Sequence, residues 1–135
     1  MAEPVFEELT EAECAQLLAG QHFGRLGVVS DGSVEIFPVN YVFADGRVAI
    51  RTDPGTKLTA AALGRVAFEI DEVDEPGRTG WSVLLKGTGY DVTDSIDSAS
   101  EEVRQFPVDT WVPGERASWL RIEPTSITGR RIRVR

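Results

Sequence analysis

Apolar and polar positions alternate through most of the chain, and a period of two is the mark of half-buried strands. FGRLGVVS predicts a strand over about residues 23–30, stopped by the Asp31-Gly32 turn signal. SVEIFPVNYVFADGR predicts a second, interrupted at Pro38, where the missing N–H marks a bulge or an edge position. The turn Ala44-Asp45-Gly46-Arg47 leads into RVAIRT, a third strand, so these three form an antiparallel meander. RVAFEIDEVDE reads as a fourth strand that turns acidic at its end. WSVLLKGTGYDVTD is a long fifth, in which Gly87 and Gly89 indicate a bend or a close backbone approach. SWLRIEPTSITGRRIRVR closes the chain as one strand or two.

Three short helices punctuate the strands. TEAECAQLLAG carries Thr10 as a cap, Glu13 three positions on to complete a capping box, and Gly20 as a stop. TKLTAAALG is helical by its alanines and leucines, with Thr56 as a natural cap and Gly64 closing it. SIDSASEEVRQF has a serine cap and helical spacing. The expected product is mainly β: about six strands with peripheral helices. So many strands on tight turns are best served by closing into a small antiparallel barrel, which removes exposed edges. No repeat or low-complexity tract divides the chain, and 135 residues suit one domain over 1–135.

Charge narrows the partners. A formal net charge of −8 argues against nucleic acid, which demands a basic face. The one basic cluster, Arg130, Arg131, Arg133 and Arg135, reads as a solvated tail or a subunit contact. Cys14 is the sole cysteine, expected buried and inert, so there is neither a disulfide framework nor a thiolate metal site. His22, the sole histidine, excludes histidine-pair zinc motifs and a Ser/His/Asp triad; it reads as a surface residue before the first strand. The acidic start MAEPVFEELT has no long apolar run, so no membrane segment or secretory signal is expected and the cytoplasm is the default location.

Three stretches carry candidate chemistry. In TDPGTK a strong turn feeds a helix and puts Lys57, one of only two lysines, in its first turn. Cations are disfavoured there because the helix dipole is already positive, so a lysine makes sense if an anion is bound. Arg51 and Thr52, at the end of the preceding strand, could reach the same point. A capped strand-turn-helix with a solvent-facing lysine explains the spacing equally well. FPVNYVF contains a proline whose neighbours leave backbone groups free for a planar heterocycle, although a structural bulge explains it too. Trp81, Trp111 and Trp119 are candidates for core, for covering a ring, or for a subunit contact. The carboxylates of Glu69, Asp71, Glu72, Asp74 and Glu75 are dense enough to read as a solvated acidic loop.

The order FPVNYVF, turn, RVAIRT, PGTKL opening a helix, VAFEID, GWSVLLKGTG and finally WLRIEPTSITGRRI resembles the flavin-binding split-barrel proteins related to pyridoxamine 5'-phosphate oxidase. The resemblance spans roughly residues 10 to 134. It implies a six-stranded antiparallel split β-barrel of the FMN-binding type, forming a homodimer with cofactor sites at the interface. It also implies that Arg51, Thr52 and Lys57 hold the flavin phosphate, and that Pro38, Val39, Asn40 and Tyr41 line the isoalloxazine, partly through backbone. Trp81, Ser82 and Lys86 would approach from the partner subunit or complete the wall. The implied activity is an FMN-dependent oxidoreductase moving a hydride or electrons between the flavin and a small planar molecule. The alternatives on the same fold are a deazaflavin-dependent reductase, for which Arg25 and Arg47 could widen a basic groove, or a non-catalytic flavin or haem carrier. The arginine and histidine residues that grip the vitamin phosphate in the oxidase itself have no match here.

Overall fold

The computed structural model describes residues 3–135. Strands β1 (Pro4–Glu8), β2 (Phe23–Ser30), β3 (Ser33–Asn40), β4 (Val42–Ala44), β5 (Arg47–Thr52), β6 (Arg65–Asp74), β7 (Thr79–Asp91) and β8 (Ser118–Val134) form one antiparallel sheet. Helices α1 (Glu11–Gly20), α2 (Thr56–Ala61) and α3 (Ser98–Val103) lie around it. The pairing order is β3-β2-β6-β7-β8-β5-β4, with β1 added to the far end of β8. The two ends of that order, β3 and β4, are consecutive in the chain and meet at Tyr41. The sheet therefore curls until its edges face each other across a seam, the shape of a split barrel.

Alternation does what the sequence reading expects of it. Leu26 and Val28 of β2, Phe68 and Ile70 of β6, Val83 and Leu85 of β7, and Leu120 and Ile122 of β8 are fully or almost fully buried in one core, joined by Cys14 and Leu18 of α1. On β5 three successive residues, Val48, Ala49 and Ile50, are buried, because both faces of this strand are covered. Ala49 belongs to a second cluster with Val92, Val103 and Val108, which docks α3 and the segment 107–117 on the outside of the sheet.

Turns and caps follow local chemistry. Asp31-Gly32 and Asp45-Gly46 both have positive φ, 51° and 75° in the first and 52° and 73° in the second, as two-residue hairpin turns require. Thr10 and Glu13 form the reciprocal capping box that opens α1. A Cβ on Gly87 would stand 2.2 Å from the Glu123 carbonyl, and one on Gly89 2.2 Å from that of Ala61, which is the close approach expected of both.

Several expectations need correcting. Among the described residues the strands number eight: the acidic N-terminal segment pairs as β1, and the second expected strand breaks at Tyr41 into β3 and β4. Tyr41 breaks it because its ring turns into the core and its hydroxyl donates to the Leu18 carbonyl at 2.6 Å. Of the two readings of Pro38 the edge position holds, in regular register with Arg25 and without a bulge; the register irregularity lies at Lys86/Gly87, where a bend is expected. Gly55 is the N-cap of α2, so Thr56 opens that helix; its side chain lies outside the described residues. Asp97, not a serine, caps α3 by accepting from the Ser100 amide. The terminal arginines lie on the β1–β8 ribbon and its end, mostly exposed yet not a free tail, where Arg131 pairs with Glu7 and Glu13, Arg133 with Glu7, and Arg135 with Glu3.

Candidate anion cleft at the barrel seam

The seam holds a small cavity of about 90 Å³, lined by Val39 and Asn40 from β3, Arg51 and Thr52 from β5, Lys57 from α2, and Thr110, Val112 and Arg116 from the segment 107–117. Each part arrives for a local reason. Thr52 follows the inward alternation of Val48 and Ile50 and is almost fully buried, while Arg51 faces outward and lies opposite Trp119 in the β5–β8 ladder. The Arg51 guanidinium is 5.5 Å from the Trp119 ring centre, and it donates from Nε to the Arg116 carbonyl (3.2 Å) and from Nη2 to that of Glu115 (3.0 Å). Arg116, whose side chain is 19% exposed, pairs through Nη1 with the Asp53 carboxylate. Lys57 lies with its Nζ 5.4 Å from the centre of the Phe37 ring.

Among the described residues, no carboxylate lines this cavity. Burial, then repulsion from Arg116, hold the Lys57 ammonium below its ordinary pKa, with Asp53 acting in the opposite direction. A bound anion would relieve both. Ligand pockets for ring systems run to several hundred Å³, so this cavity takes a compact anionic group and leaves anything larger outside. The residues present fit the phosphate end of a flavin. Its rings would have to lie outside the cavity, and the adjacent β3 is a sheet edge, where half of the backbone groups face away from a partner strand.

Not all the residues singled out in the sequence meet here. Val39, Asn40, Arg51, Thr52 and Lys57 do. Pro38 is exposed next to them on β3, whereas the Tyr41 side chain is committed to the core, its phenol pushed above the usual range by burial. Trp81 and Ser82 line a separate groove of about 550 Å³ near the β6–β7 turn, and Lys86 lines a third with Gly27 and Ala67. Within one chain these three are not part of the cleft. Thr110, Val112 and Arg116 are the lining residues that the sequence did not reveal. They come from an irregular stretch without periodicity, and only the folding of that stretch across the seam brings them in. Trp111, considered for its ring alone, contributes its amide, which donates to Asn40 Oδ1 at 2.9 Å while its ring rests 5.3 Å from that of Phe23.

The acidic run is not all solvated loop. Glu69 and Asp71 point the same way from β6, and each accepts from Arg25 Nη1 at 3.3 Å. Burial, a hydrogen bond with Asp71 and the Asp71 charge push the Glu69 carboxyl up to about 7, with Arg25 opposing them.

A model of the family described as pyridoxamine 5'-phosphate oxidase matches residues 10–131 of the chain. The chain belongs to this family. It is 34% identical over 131 residues to the uncharacterized protein Rv0080 of Mycobacterium tuberculosis, covering 93% of this chain and 84% of that one. It is similar in structure to the FAD binding protein from Mycobacterium smegmatis, with 34% identity, a TM-score of 0.71, and 96% of this chain and 100% of that one covered. A FAD-binding protein from Mesorhizobium loti has the same fold at 24% identity, with a TM-score of 0.76 and 94% and 98% covered. The mainly β, split-barrel architecture is thus shared with these two FAD-binding proteins.

Proposed function

We propose that this protein is a flavin-dependent oxidoreductase that binds FMN with its phosphate in the seam cleft. The observation that carries the proposal is the convergence of Arg51, Lys57 and Arg116 on one small cavity that no carboxylate among the described residues lines, in a protein of net charge −8. Cations held close together against an overall negative background need an anionic partner. The flavin, when bound, supplies the hydride or electron chemistry. Lys57 and Arg51 hold the phosphate through charge-assisted hydrogen bonds, about twice as strong as neutral ones. Thr52 closes the buried side, and Pro38, Val39 and Asn40 offer a strand edge to the ring. A ring so placed stays open to a small planar substrate, which favours an enzyme over a sealed carrier. The FAD binding relative from M. smegmatis supports a flavin as the ligand class.

The working form in this proposal is a homodimer. Val29, Val34 and Ile36 stand 57%, 73% and 68% exposed on the β2–β3 hairpin, an apolar surface suited to a second copy. Trp81, Ser82 and Lys86 would then reach the partner's flavin. None of the described helices is long and apolar enough to cross a membrane.

Titration of the purified protein with FMN, FAD and deazaflavin, followed by absorbance, tests the reading. Saturable FMN binding with a perturbed band, reduction by a nicotinamide donor and reoxidation by an acceptor are the expected results. Preferential binding of deazaflavin would move the assignment to a deazaflavin reductase. Binding without turnover would make the protein a carrier, and no binding of any of the three would end the flavin reading.

A further inference from the structure

We propose that Arg116 is an exchangeable ligand for the phosphate, held by Asp53 until the anion arrives, so that the segment 107–117 closes on flavins that carry a phosphate. The proposal rests on the flavin reading above and names the residue that decides among flavins.

Arg116 sits at φ 48°, a left-handed backbone position uncommon for a residue with a side chain, so the fold specifies this placement against a local cost. Its guanidinium has two partners: the Asp53 carboxylate at Nη1, and the Pro113 carbonyl, 3.5 Å from Nη2. Asp53 is itself half exposed (53%), and an ion pair with an exposed member is weak. A phosphate offers several acceptor oxygens to the planar fork of an arginine, a better match than one solvated carboxylate oxygen. Charge points the same way. Three cations against Asp53 leave two positive charges unmatched, close to the charge of a phosphate monoester at neutral pH.

The rest of the segment is built to follow Arg116. At its inner end Val108 is buried in the second cluster and acts as an anchor. Beyond Val108 the contacts are polar or exposed: the Trp111 amide to Asn40 and its exposed ring against Phe23 on one bank of the seam, and the carbonyls of residues 115 and 116 to Arg51 on the other. A segment held this way opens at small cost, because little apolar surface is lost. Arg51 therefore has two tasks, since the side chain that faces the anion also braces the loop that delivers Arg116. Once Arg116 has moved from Asp53 to the phosphate, both banks are joined through the ligand.

The test compares FMN with riboflavin, which has the same rings without the phosphate, by calorimetric titration of the full chain. Arg116→Ala should weaken FMN roughly tenfold or more while leaving riboflavin unchanged, the loss expected of one charge-assisted contact. Arg116→Lys should recover part of that loss, and thermal melts should show both variants folded. Asp53→Asn should tighten FMN severalfold with no effect on riboflavin. Equal weakening of both ligands by Arg116→Ala, or weakening of FMN by Asp53→Asn, would overturn the exchange. If the wild-type protein binds no flavin, the flavin reading falls and inorganic phosphate decides. Phosphate binding lost in Arg116→Ala keeps Arg116 as the anion ligand; phosphate binding unaffected by the substitution, or absent from the wild type, removes it.

Discussion

Two regions of the molecule are rich in cations, and they behave in opposite ways. On the β1–β8 ribbon, Arg131, Arg133 and Arg135 stand near Glu3, Glu7 and Glu13 at 3.2 to 3.7 Å, so three of the four arginines of the basic run are matched by carboxylates, while Arg130 lies over the Phe6 ring. At the seam, Arg51, Lys57 and Arg116 face a common cavity, and among the described residues the one carboxylate paired with any of them is Asp53. The ribbon holds the denser run in sequence, yet the seam has the unbalanced charge. An arginine cluster locates a ligand only where folding has left it uncompensated.

The largest effect should come from the contact that seats α2, the helix carrying Lys57, on β7. Gly89 accepts from the Leu63 amide and donates to the Gly64 carbonyl, tying the end of α2 to β7. Gly89→Ala would drive its methyl into the Ala61 carbonyl and shift the helix that carries Lys57. A stability loss of about 1–3 kcal/mol is expected, with weakened flavin binding, read by thermal melts and titration. An unchanged melting temperature would show that α2 is not held this way.

Next in size is Lys57→Ala, expected to keep the fold and weaken FMN by roughly tenfold or more. FMN affinity equal to wild type would remove Lys57 from the clamp and with it most of the contrast between the two regions.

A third effect concerns pH. The Glu69 carboxyl titrates near 7 in the folded protein against 4.5 ordinarily, so the folded state binds the proton more tightly. The protonated carboxyl favours folding, and this contribution is lost as pH rises from about 4.5 to 7. The wild type should therefore lose stability relative to Glu69→Gln across that window, measured by denaturant midpoints at each pH. Parallel profiles would put Glu69 among ordinary solvated carboxylates.

Smallest of all should be Arg131→Ala, which removes half-exposed pairs worth about 1 kcal/mol or less and leaves FMN affinity untouched. A loss of affinity there would mean that the ribbon serves the site.

Much of this architecture is legible from local chemistry. β2, β5, the capping box of α1, the two Asp-Gly hairpins and the tight approaches at Gly87 and Gly89 all follow from residues a few positions apart. Lys57 is conspicuous for a similar reason, since the oddity of a cation in the first turn of a helix can be read within six residues. The break at Tyr41 is not legible, because FPVNYVF alternates acceptably as one strand. It becomes two when the Tyr41 ring finds the core and its hydroxyl reaches Leu18. Nor does anything near Arg116 announce it, for its significance lies in Arg51 and Asp53, more than sixty positions earlier.

The sequence by itself determined most of the strands, both Asp-Gly hairpin turns and the capping box of α1, because these depend on backbone preferences and side-chain periodicity over short spans. It also determined the resemblance to a flavin-binding family, through the order of those elements. Tertiary structure alone decided which charges cancel and which remain. Coulomb attraction depends on distance in space, and closing the sheet brings Glu7 to Arg131 and Arg116 to Lys57 without regard to their separation along the chain.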